Sequence, residues 1–433
     1  MKFYIVVLGC QMNLSDGERL KSVLKDMGMT EADREEDANL LGMVACSVRQ
    51  KAIDKVHTRI HLWKKWQKEK KVMTFLTGCV LPEDKKKFVK DFDLVFDIKD
   101  AGTLPELISG HGEVSPATVN TRELWHVDPD YASRFEAFIP IQNGCNNFCT
   151  YCAVPYTRGR EESRPSAEIE EEFSALVEKG YKAITLLGQN VNSYGSERRK
   201  EEITFPELMD RLATKADEAE ESPWIYFTAP HPKDMSDELI EVMARHKSAA
   251  KQIHLPIQSG DDKILKEMNR RYTVDHYRQI VTKVRKAMPE ATLFTDIIVG
   301  FPGETEEQFE NTARMMEEFQ FNMAFIAMYS PRPGAKSTEW QDDIPQEVKK
   351  DRFHRLSEIM QKSAVAWNEA LVGQEVTALV SGRSRKGDKY AGRTEGMISI
   401  QFESEREDLI GQFVKLKVTG VHGISLSGEI IES

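Results

Sequence analysis

Three cysteines with the spacing C-x3-C-x2-C, here called the central triplet (Cys145, Cys149 and Cys152), are the residues of this chain best suited to chemistry. Three thiolates can hold three irons of a cubane [4Fe–4S] cluster and leave the fourth iron without a protein ligand. An open iron can coordinate a substrate or cofactor, whereas a closed four-cysteine site serves structure or electron transfer. Zinc is the alternative, but it takes four ligands, and the nearest histidines, His126 and His231, are badly spaced. The spacing therefore favours a cluster with an open iron.

The other cysteines, here called the N-terminal triplet (Cys10, Cys46 and Cys79), each follow a short apolar run. The runs span residues 3–8, 40–44 and 72–76. They are typical of buried parallel strands with helices between them. Because the carboxyl ends of such strands gather along one edge of a sheet, the three thiols are expected to converge. They could be three small buried side chains, but their shared topological position favours a second iron–sulfur cluster with an open iron.

The segment 143–164, NGCNNFCTYCAVPYTRGREESR, resembles the radical S-adenosylmethionine (SAM) methylthiotransferase family, in particular its MiaB-type tRNA branch. Further blocks typical of the family are LLGQNVNSY (186–194), FTAPHP (227–232), HLPIQSG (254–260), MNRRYT (268–273), DIIVGFPGET (296–305) and YSPRPG (329–334). The resemblance covers essentially the whole chain. One departure is that Val44 and Ala45 stand before Cys46, where the family usually has Asn-Thr.

The resemblance implies two [4Fe–4S] clusters and SAM as cofactors. At the central triplet, the amino and carboxylate groups of SAM would chelate the open iron, and one electron would cleave SAM to a 5′-deoxyadenosyl radical. The cluster of the N-terminal triplet would carry the sulfur to be inserted. An electron donor such as flavodoxin or ferredoxin would complete the system.

The resemblance also implies which residues contact SAM. A glycine and two amides, Gly188, Gln189 and Asn190, stand where the superfamily usually binds the amino end of SAM, although a strand-ending turn is the alternative for them. The other expected contacts are Ile298, Val299 and Gly300 near the adenine and Gln258 and Ser259 at the ribose or substrate.

Two arginines follow the central triplet closely. Arg158 and Arg160 are candidates to pair with the SAM carboxylate or a substrate phosphate. Alternatively, they pair with the neighbouring Glu161 and Glu162.

The function that the resemblance implies is insertion of a methylthio group at C2 of N6-isopentenyladenosine beside the tRNA anticodon. A radical is required because no acid or base side chain ionises an aromatic C–H bond. The base must leave its stack in the anticodon stem-loop to be reached. Alternative substrates are threonylcarbamoyladenosine in tRNA and an aspartate of a ribosomal protein. The last branch usually has Cys-Pro-Lys-Asn where this chain has Cys10-Gln-Met-Asn13. A non-catalytic iron–sulfur RNA-binding protein is the alternative of another class.

Composition fits a cytoplasmic enzyme. The 433 residues are enough for two or three domains, and six cysteines are too sparse for a disulfide scaffold. No signal peptide or long apolar stretch is present in the sequence, so no membrane partner is expected. A monomer is the default expectation. The net charge of −11 argues against RNA, but residues 55–71 are rich in lysine interleaved with tryptophan and histidine. That segment predicts either an RNA contact or a solvated helix face.

Three units are expected along the chain, giving an α/β protein overall. Residues 1–130 alternate strands and helices and predict a small doubly wound domain carrying the N-terminal triplet, with a linker from Ser109 to Ser133. Residues 134–369 predict a partial (β/α)6 barrel with chemistry at the carboxyl ends of its strands, which is also the radical SAM core that the resemblance implies. The expected strands are 137–141, 183–187, 224–228, 252–255, 293–299 and 324–328.

Residues 370–433 predict a small antiparallel β-barrel with strands at 375–380, 397–402, 413–419 and 425–431. The unit resembles a TRAM domain, an RNA-binding barrel. A basic hairpin favours contact with tRNA. Its cations, grouped around Tyr390, are Arg383, Arg385, Lys386, Lys389 and Arg393.

Overall fold

The computed structural model describes residues 1–47, 50–69, 72–109, 124–384 and 387–431. They form a parallel α/β sheet, then six strand–helix repeats, then a small closed β-barrel. The predicted fold class is therefore confirmed. In this part of the chain, no helix is both long and apolar enough to cross a membrane.

The first unit is a parallel sheet of five strands in the order β2-β1-β3-β4-β5. Its strands are β1 (Lys2–Val7), β2 (Thr30–Glu31), β3 (Leu40–Cys46), β4 (Met73–Cys79) and β5 (Leu94–Val95). Its helices are α1 (Gln11–Asp26), α2 (Gln50–Glu69), α3 (Pro82–Phe88) and α4 (Leu104–Ser109), with 3-10 turns at Glu35–Asp37, Ile98–Thr103 and Leu124–His126. One apolar core joins α1 and α4 to the sheet and another joins α2 and α3, so the sheet is doubly wound as predicted.

The central strand β3 is buried along its whole length. Its Gly42 is required because an added Cβ would lie 2.1 Å from the ring of Phe75 on β4. Of the expected linker from Ser109 to Ser133, residues 110–123 lie outside the described residues, and Leu124 already belongs to the N-terminal core.

The second unit contains six parallel strands and a short hairpin. The strands are β6 (Glu136–Pro140), the hairpin β7 (Gln142–Asn143) and β8 (Glu162–Ser163), then β9 (Ala183–Leu187), β10 (Trp224–Phe227), β11 (Gln252–His254), β12 (Thr292–Val299) and β13 (Met323–Met328). The helices are α5 (Val154–Thr157), α6 (Ser166–Glu178), α7 (Phe205–Asp217), α8 (Asp237–Arg245), α9 (Asp262–Glu267), α10 (Val274–Ala287), α11 (Glu306–Phe319) and α12 (Gln346–Ala370). Short 3-10 turns lie at Val191–Ser193, Ser196–Arg198, Pro232–Asp234 and Lys336–Glu339.

These six strands form two three-stranded sheets, β10-β9-β6 and β11-β12-β13. A parallel bridge between Ile225 and Ala249 connects them. All six predicted strands are present, with ends shifted by one residue at most. A large apolar core lies between the strands and their helices. The carboxyl ends of the six strands therefore open toward one end of a partial barrel.

The third unit is a closed barrel of five strands in the order β14-β15-β16-β18-β17. The strands are β14 (Glu375–Arg383), β15 (Tyr390–Thr394), β16 (Ser399–Phe402), β17 (Phe413–His422) and β18 (Ser425–Ile430). The four predicted strands are present, and β15 adds a fifth from the expected hairpin. The pairings are antiparallel except for β16 with β18, which run parallel and close the barrel.

This small barrel packs on the first residues of the central strands. The ring of Trp224, which begins β10, lies 4.5 Å from the ring of Phe413 of β17. Arg393 of β15 forms an ion pair with Glu136, which begins β6. Because the strands begin at these residues, the small barrel lies at the opposite end of the central unit from the carboxyl ends of the strands.

Two aromatic residues expected among RNA-binding cations are buried. Trp63 of α2 is 1% exposed and donates a hydrogen bond to Glu35 Oε2 at 3.0 Å. Tyr390 is 0% exposed and packs in the small barrel, with the guanidinium of Arg383 3.6 Å above its ring. Neither ring can stack on a base, and at Trp63 the alternative of a solvated helix face is the one that the structure favours. The nearby cations Lys70, Lys71, Arg385 and Lys386 lie outside the described residues.

Candidate functional site

The N-terminal triplet lies at one edge of the first sheet. Cys46 ends β3 and Cys79 ends β4, and the two residues are paired in register. Cys10 precedes α1 as its N-terminal cap. Gly9 has a φ of 142°, and an added Cβ there would lie 3.1 Å from the Cβ of Cys46, so only glycine lets the β1 end approach β3 this closely. The predicted convergence of the three strand ends is thus present in the fold.

Asn13 of α1 fixes the backbone around these cysteines. Its Nδ2 donates to the carbonyl oxygens of Leu8 and Ala45, at 2.9 Å each. Its Oδ1 lies 3.3 Å from the Sγ of Cys79. The polar surroundings of this triplet therefore come from Asn13 and reach Ala45 through its backbone, so apolar side chains at 44 and 45 are compatible with the site.

Arg158 reaches the N-terminal triplet from the second unit. Its Nε donates to the Sγ of Cys79 at 2.8 Å, and its Nη2 pairs with Asp16 of α1. Its Nη1 donates to Asn143 Oδ1 at 3.3 Å, next to the central triplet. Burial raises the pKa of the Cys79 thiol to about 12, and the charge of Arg158 opposes that rise. Arg158 pairs with Asp16 rather than with the neighbouring glutamates.

The central triplet lies on the loop after β7, where the carboxyl ends of the central strands open. Gly144 has a φ of 73°, and an added Cβ would lie 1.9 Å from the carbonyl oxygen of Arg160, so this position requires glycine. The guanidinium of Arg160 itself lies 4.5 Å from the ring centre of Phe148, which has a φ of 50°. Asn269 Nδ2 donates to the carbonyl oxygen of Phe148 at 3.1 Å. The conformation of this loop is thus stabilised by contacts at Gly144 and Phe148, and these contacts do not use the cysteine side chains.

Arg270 is the cation beside the central triplet. Its Nη1 lies 3.4 Å from the Sγ of Cys149, and its Nη2 donates to the carbonyl oxygen of Pro256 at 2.7 Å. Burial raises the pKa of Cys152 to about 12, and the neighbouring Cys149 raises it further. Burial also raises the pKa of Cys145. Cys145 is buried and Cys149 and Cys152 are partly buried, and one buried arginine lies beside them.

Both triplets fit iron–sulfur clusters by the chemistry of their donors. All six cysteines are free thiols. Buried thiols with raised pKa values resist ionisation in water, whereas a bound metal removes the proton outright. Throughout the described ranges, no three His, Cys, Asp or Glu side chains are grouped tightly enough to hold one metal ion. A four-iron cluster binds each thiolate at a separate iron and so accepts wider spacing.

The turn predicted to hold the amino end of SAM follows β9. An added Cβ at Gly188 would lie 2.9 Å from Val191 and 3.3 Å from Gln142 Oε1, so this position must be small. Asn190 donates from Nδ2 to Asp234 at 3.0 Å. In the described part of the chain, Gln142 Oε1, Gln189 Oε1 and Asn190 Oδ1 are buried acceptors without a hydrogen-bond partner. Such unused acceptors fit the ammonium group of a ligand.

The remaining expected SAM contacts divide into two kinds. Ile298 is half-buried and packs in the group that contains Tyr151 of the central loop, whereas Val299 is 0% exposed in the core behind the strands. At Gly300, φ is 68°, and an added Cβ would lie 2.4 Å from the Lys349 side chain. Of the three, Ile298 has the position that suits contact with an adenine.

Gln258 and Ser259 follow β11. Gln258 has a φ of 76° and bridges to Ile297 of β12. The Ser259 hydroxyl is 0% exposed, lies 3.4 Å from the hydroxyl of Thr312 on α11 and accepts from the Asp261 N–H. Ser259 therefore faces a helix, and Gln258 is the residue of this pair that remains a candidate for ribose or substrate.

Sequence reasoning assigned no role to four residues that build this site: Gln142, His231, Asn269 and Arg270. The last three lie in the FTAPHP and MNRRYT blocks, which were noticed only as family blocks. A buried histidine or arginine after a barrel strand was the available signal. The contacts of such a residue could not be predicted from the sequence, because Arg270 and Cys149 are 121 residues apart in the chain.

Three family models match the chain. They are the Radical SAM superfamily over residues 139–316, the Uncharacterized protein family UPF0004 over residues 2–97 and the TRAM domain over residues 369–431. Each match corresponds to one of the three units.

Curated relatives match over nearly their whole length. A tRNA-2-methylthio-N(6)-dimethylallyladenosine synthase of Clostridium botulinum (strain Okra / Type B1) is 37% identical, covering 99% of this chain and 97% of that protein. The proteins of the same name from Clostridium perfringens (strain SM101 / Type A) and Clostridium novyi (strain NT) are 38% and 39% identical, covering 99% of this chain and 98% and 96% of those proteins.

Solved structures share the fold at low identity. The radical SAM methyltransferase TsrM from Kitasatospora setae matches with a TM-score of 0.55 at 13% identity, covering 76% of this chain and 75% of that chain. The cobalamin-dependent radical SAM enzyme OxsB matches with a TM-score of 0.52 at 13% identity, covering 83% of this chain and 56% of that chain.

Proposed function

The chain belongs to the family of the tRNA-2-methylthio-N(6)-dimethylallyladenosine synthases, within the radical SAM superfamily, and we propose that it inserts a methylthio group at C2 of N6-isopentenyladenosine beside the tRNA anticodon. The superfamily implies SAM and one [4Fe–4S] cluster. The observation that carries the proposal is that two three-cysteine sites lie on either side of Arg158, which contacts Cys79 of one and Asn143 beside the other.

The two triplets have different roles in this proposal. Cys145, Cys149 and Cys152 hold the cluster that binds SAM, and the N-terminal triplet holds a second [4Fe–4S] cluster that carries sulfur. When bound, SAM supplies the methyl group and the radical chemistry that breaks an aromatic C–H bond. Arg270 supplies positive charge beside the first cluster. Sulfur insertion requires both clusters near one base, and the contacts of Arg158 support that proximity.

The partner in this proposal is tRNA, and its recognition involves two separate surfaces. The target base would enter at the carboxyl ends of the central strands, where the central triplet lies. The small barrel lies at the other end and presents the exposed Lys415 and Lys417 on the outer face of β17. Such cations suit phosphate contacts of the anticodon stem. A flavodoxin or ferredoxin as electron donor, a cytoplasmic location and a monomeric state complete the proposal.

The test uses anaerobically reconstituted protein with SAM, a reductant and tRNA that carries isopentenyladenosine. The tRNA is digested to nucleosides, and mass spectrometry detects the methylthio mass gain. We expect the modified nucleoside with the native chain and its loss with Cys145→Ala and with Cys10→Ala. The matched control is the same tRNA without the isopentenyl group.

Two outcomes would contradict the proposal in different ways. Release of 5′-deoxyadenosine with unmodified isopentenyladenosine would leave the radical chemistry intact and make the substrate wrong, so that threonylcarbamoyladenosine tRNA and the ribosomal-protein aspartate become the next substrates. Absence of 5′-deoxyadenosine despite full iron content and SAM binding would instead favour a non-catalytic iron–sulfur RNA-binding protein.

A further inference from the structure

His231 presents a buried N–H that nothing in the described part of the chain uses. The side chain lies just past β10 and is 5% exposed. Asn192 fixes its backbone, accepting from His231 N at 2.8 Å and donating to His231 O at 2.9 Å. The Lys233 N–H donates to His231 Nδ1 at 3.2 Å. Because Nδ1 accepts, a neutral ring carries its proton on Nε2, and Nε2 has no partner among the described residues.

The electrostatic surroundings of this ring favour an anion. Burial lowers the pKa of His231 to about 2, and the positive charges of Arg270, Lys233 and Arg271 lower it further. The ring is therefore a neutral donor at physiological pH, surrounded by cations. A donor in such a field binds a carboxylate more strongly than a neutral acceptor.

Contacts connect His231 to the central triplet. Its ring packs edge-on against Tyr272, with ring centres 5.5 Å apart. Arg270 Nε donates to the Tyr272 hydroxyl at 2.9 Å, and Arg270 Nη1 lies 3.4 Å from Cys149 Sγ. The unused N–H thus belongs to the same buried network as the cysteines that would hold the SAM-binding cluster.

The unused acceptors lie at and beside the turn after β9, which contacts the turn that carries His231. Asn190 is bonded to Asp234, in the 3-10 turn that directly follows His231. Gln142, Gln189 and Asn190 each leave one buried oxygen without a partner among the described residues. Three acceptors and one donor among cations, on neighbouring turns, complement a ligand that carries both an amino and a carboxylate group.

We propose that His231 is a SAM-binding residue whose Nε2 donates a hydrogen bond to the carboxylate of SAM, while the oxygen of Gln142 accepts from its amino group, which keeps N–H donors when it chelates the open iron. The inference rests on the proposed function, in which SAM binds at the central triplet. It adds two residues to the expected SAM contacts and gives each a different group of the methionyl part of the ligand.

Calorimetric titration of the reconstituted, SAM-free holoprotein tests this assignment with two ligands. SAM carries both groups, whereas decarboxylated SAM keeps the ammonium, the sulfonium and the adenosine but lacks the carboxylate. We expect His231→Phe to weaken SAM binding roughly 10- to 100-fold, the range for a hydrogen bond to a charged group, and to leave decarboxylated SAM unchanged. His231→Gln keeps an N–H donor and should restore most of the affinity. Gln142→Leu, the matched control, should weaken the binding of both SAM and decarboxylated SAM.

The outcomes separate the inference from the function beneath it. Unchanged SAM affinity in His231→Phe, or equal losses for SAM and decarboxylated SAM, would overturn the assignment while the proposed function stands. Failure of the native holoprotein to bind SAM would reject both. Iron content and the cluster absorbance of each variant are measured first, and His231→Leu replaces His231→Phe if the phenylalanine variant does not retain its clusters.

Discussion

Arg158 Nε lies 2.8 Å from Cys79 Sγ, although Arg158 follows the other cysteine triplet in the chain. The guanidinium is buried, with its side chain 3% exposed, and its charge is balanced by Asp16. A buried arginine in such a position is held by several partners at once, because leaving it unpaired would be strongly destabilising. Arg158 therefore connects the surroundings of the two proposed cluster sites and places a positive charge beside Cys79.

Replacing Arg158 should separate SAM cleavage from sulfur insertion. We expect Arg158→Gln to keep 5′-deoxyadenosine formation and to lose most methylthio product. Removing a positive charge about 4 to 6 Å from the N-terminal cluster should also lower the reduction potential of that cluster, by roughly 120 to 180 mV at an effective dielectric constant near 20. The potential is measured by electron paramagnetic resonance in a background with the central triplet replaced by alanine. The reduction potential and the product yield of Arg158→Lys should lie between those of the native chain and Arg158→Gln, since lysine keeps the charge but lacks the planar guanidinium.

The matched control for this series is Arg34→Gln, which removes an exposed arginine ion-paired to Glu36 on the first unit. Its potential and product yield should equal those of the native chain. A native potential in Arg158→Gln would show that the arginine does not set the field at Cys79.

Asn13→Ala should loosen the N-terminal cluster site. The substitution removes the two hydrogen bonds that Nδ2 donates, to Leu8 O and Ala45 O, together with the contacts of Oδ1 with Cys79 Sγ and Arg158 Nη2. We expect a loss of at least about 2 kcal/mol in the free energy of unfolding, at about 1 kcal/mol for each of the two bonds to carbonyl oxygens. Iron content should fall toward that of one cluster. The free energy of unfolding is measured by urea denaturation, and the iron content is measured as iron per chain. Full iron content in this variant would contradict the role given to Asn13.

The sequence predicted the cysteine positions well because strand ends are a local property. A run of apolar residues followed by cysteine places the thiol at the carboxyl edge of a parallel sheet, and Cys46 and Cys79 lie in register there. The partners of these cysteines were not predictable in the same way. Arg158 and Asp16 are 142 residues apart, and no periodic pattern indicates that they meet.

Aromatic residues between cations were ambiguous for a physical reason. A tryptophan or tyrosine can pack inward while the lysines and arginines beside it extend to water, and the sequence pattern is the same in both cases. In this chain Trp63 and Tyr390 pack inward. Sequence reasoning could not identify a buried atom such as His231 Nε2, which has no hydrogen-bond partner among the described residues, because that requires every neighbour to be placed.

Acid should destabilise the chain through His231. The unfolded state binds a proton below the usual pKa of 6.5, whereas burial and the nearby Arg270, Lys233 and Arg271 hold the native pKa at about 2. The unfolded state therefore binds more protons between these values, and stability falls as the pH is lowered through that window. We expect this residue to account for roughly 2 kcal/mol of stability lost between pH 7 and pH 5. Urea unfolding of the native chain and of His231→Gln at both pH values measures this contribution. An equal loss of stability in the two proteins between pH 7 and pH 5 would contradict the role given to His231.

Docking of the small barrel should affect tRNA recognition without affecting SAM chemistry. Phe413 packs against Trp224 at the start of β10, far from the carboxyl ends of the strands where the central triplet lies. Because Phe413 is only partly buried, we expect Phe413→Ala to cost about 1 to 2 kcal/mol of docking energy. Ile410→Ala, at a position 47% exposed on the same barrel, is the matched control.

If the small barrel holds the anticodon stem, a loosened barrel should raise KM for tRNA about tenfold, the factor that 1.4 kcal/mol gives. The reductive cleavage of SAM measured without tRNA should be unchanged, because the central triplet lies at the opposite end of the strands. Steady-state kinetics with tRNA and with an isolated anticodon stem-loop measure both quantities. Faster proteolysis after α12 in Phe413→Ala would show that the barrel has been loosened. An unchanged KM for tRNA in that loosened variant would contradict a role of the barrel in tRNA binding.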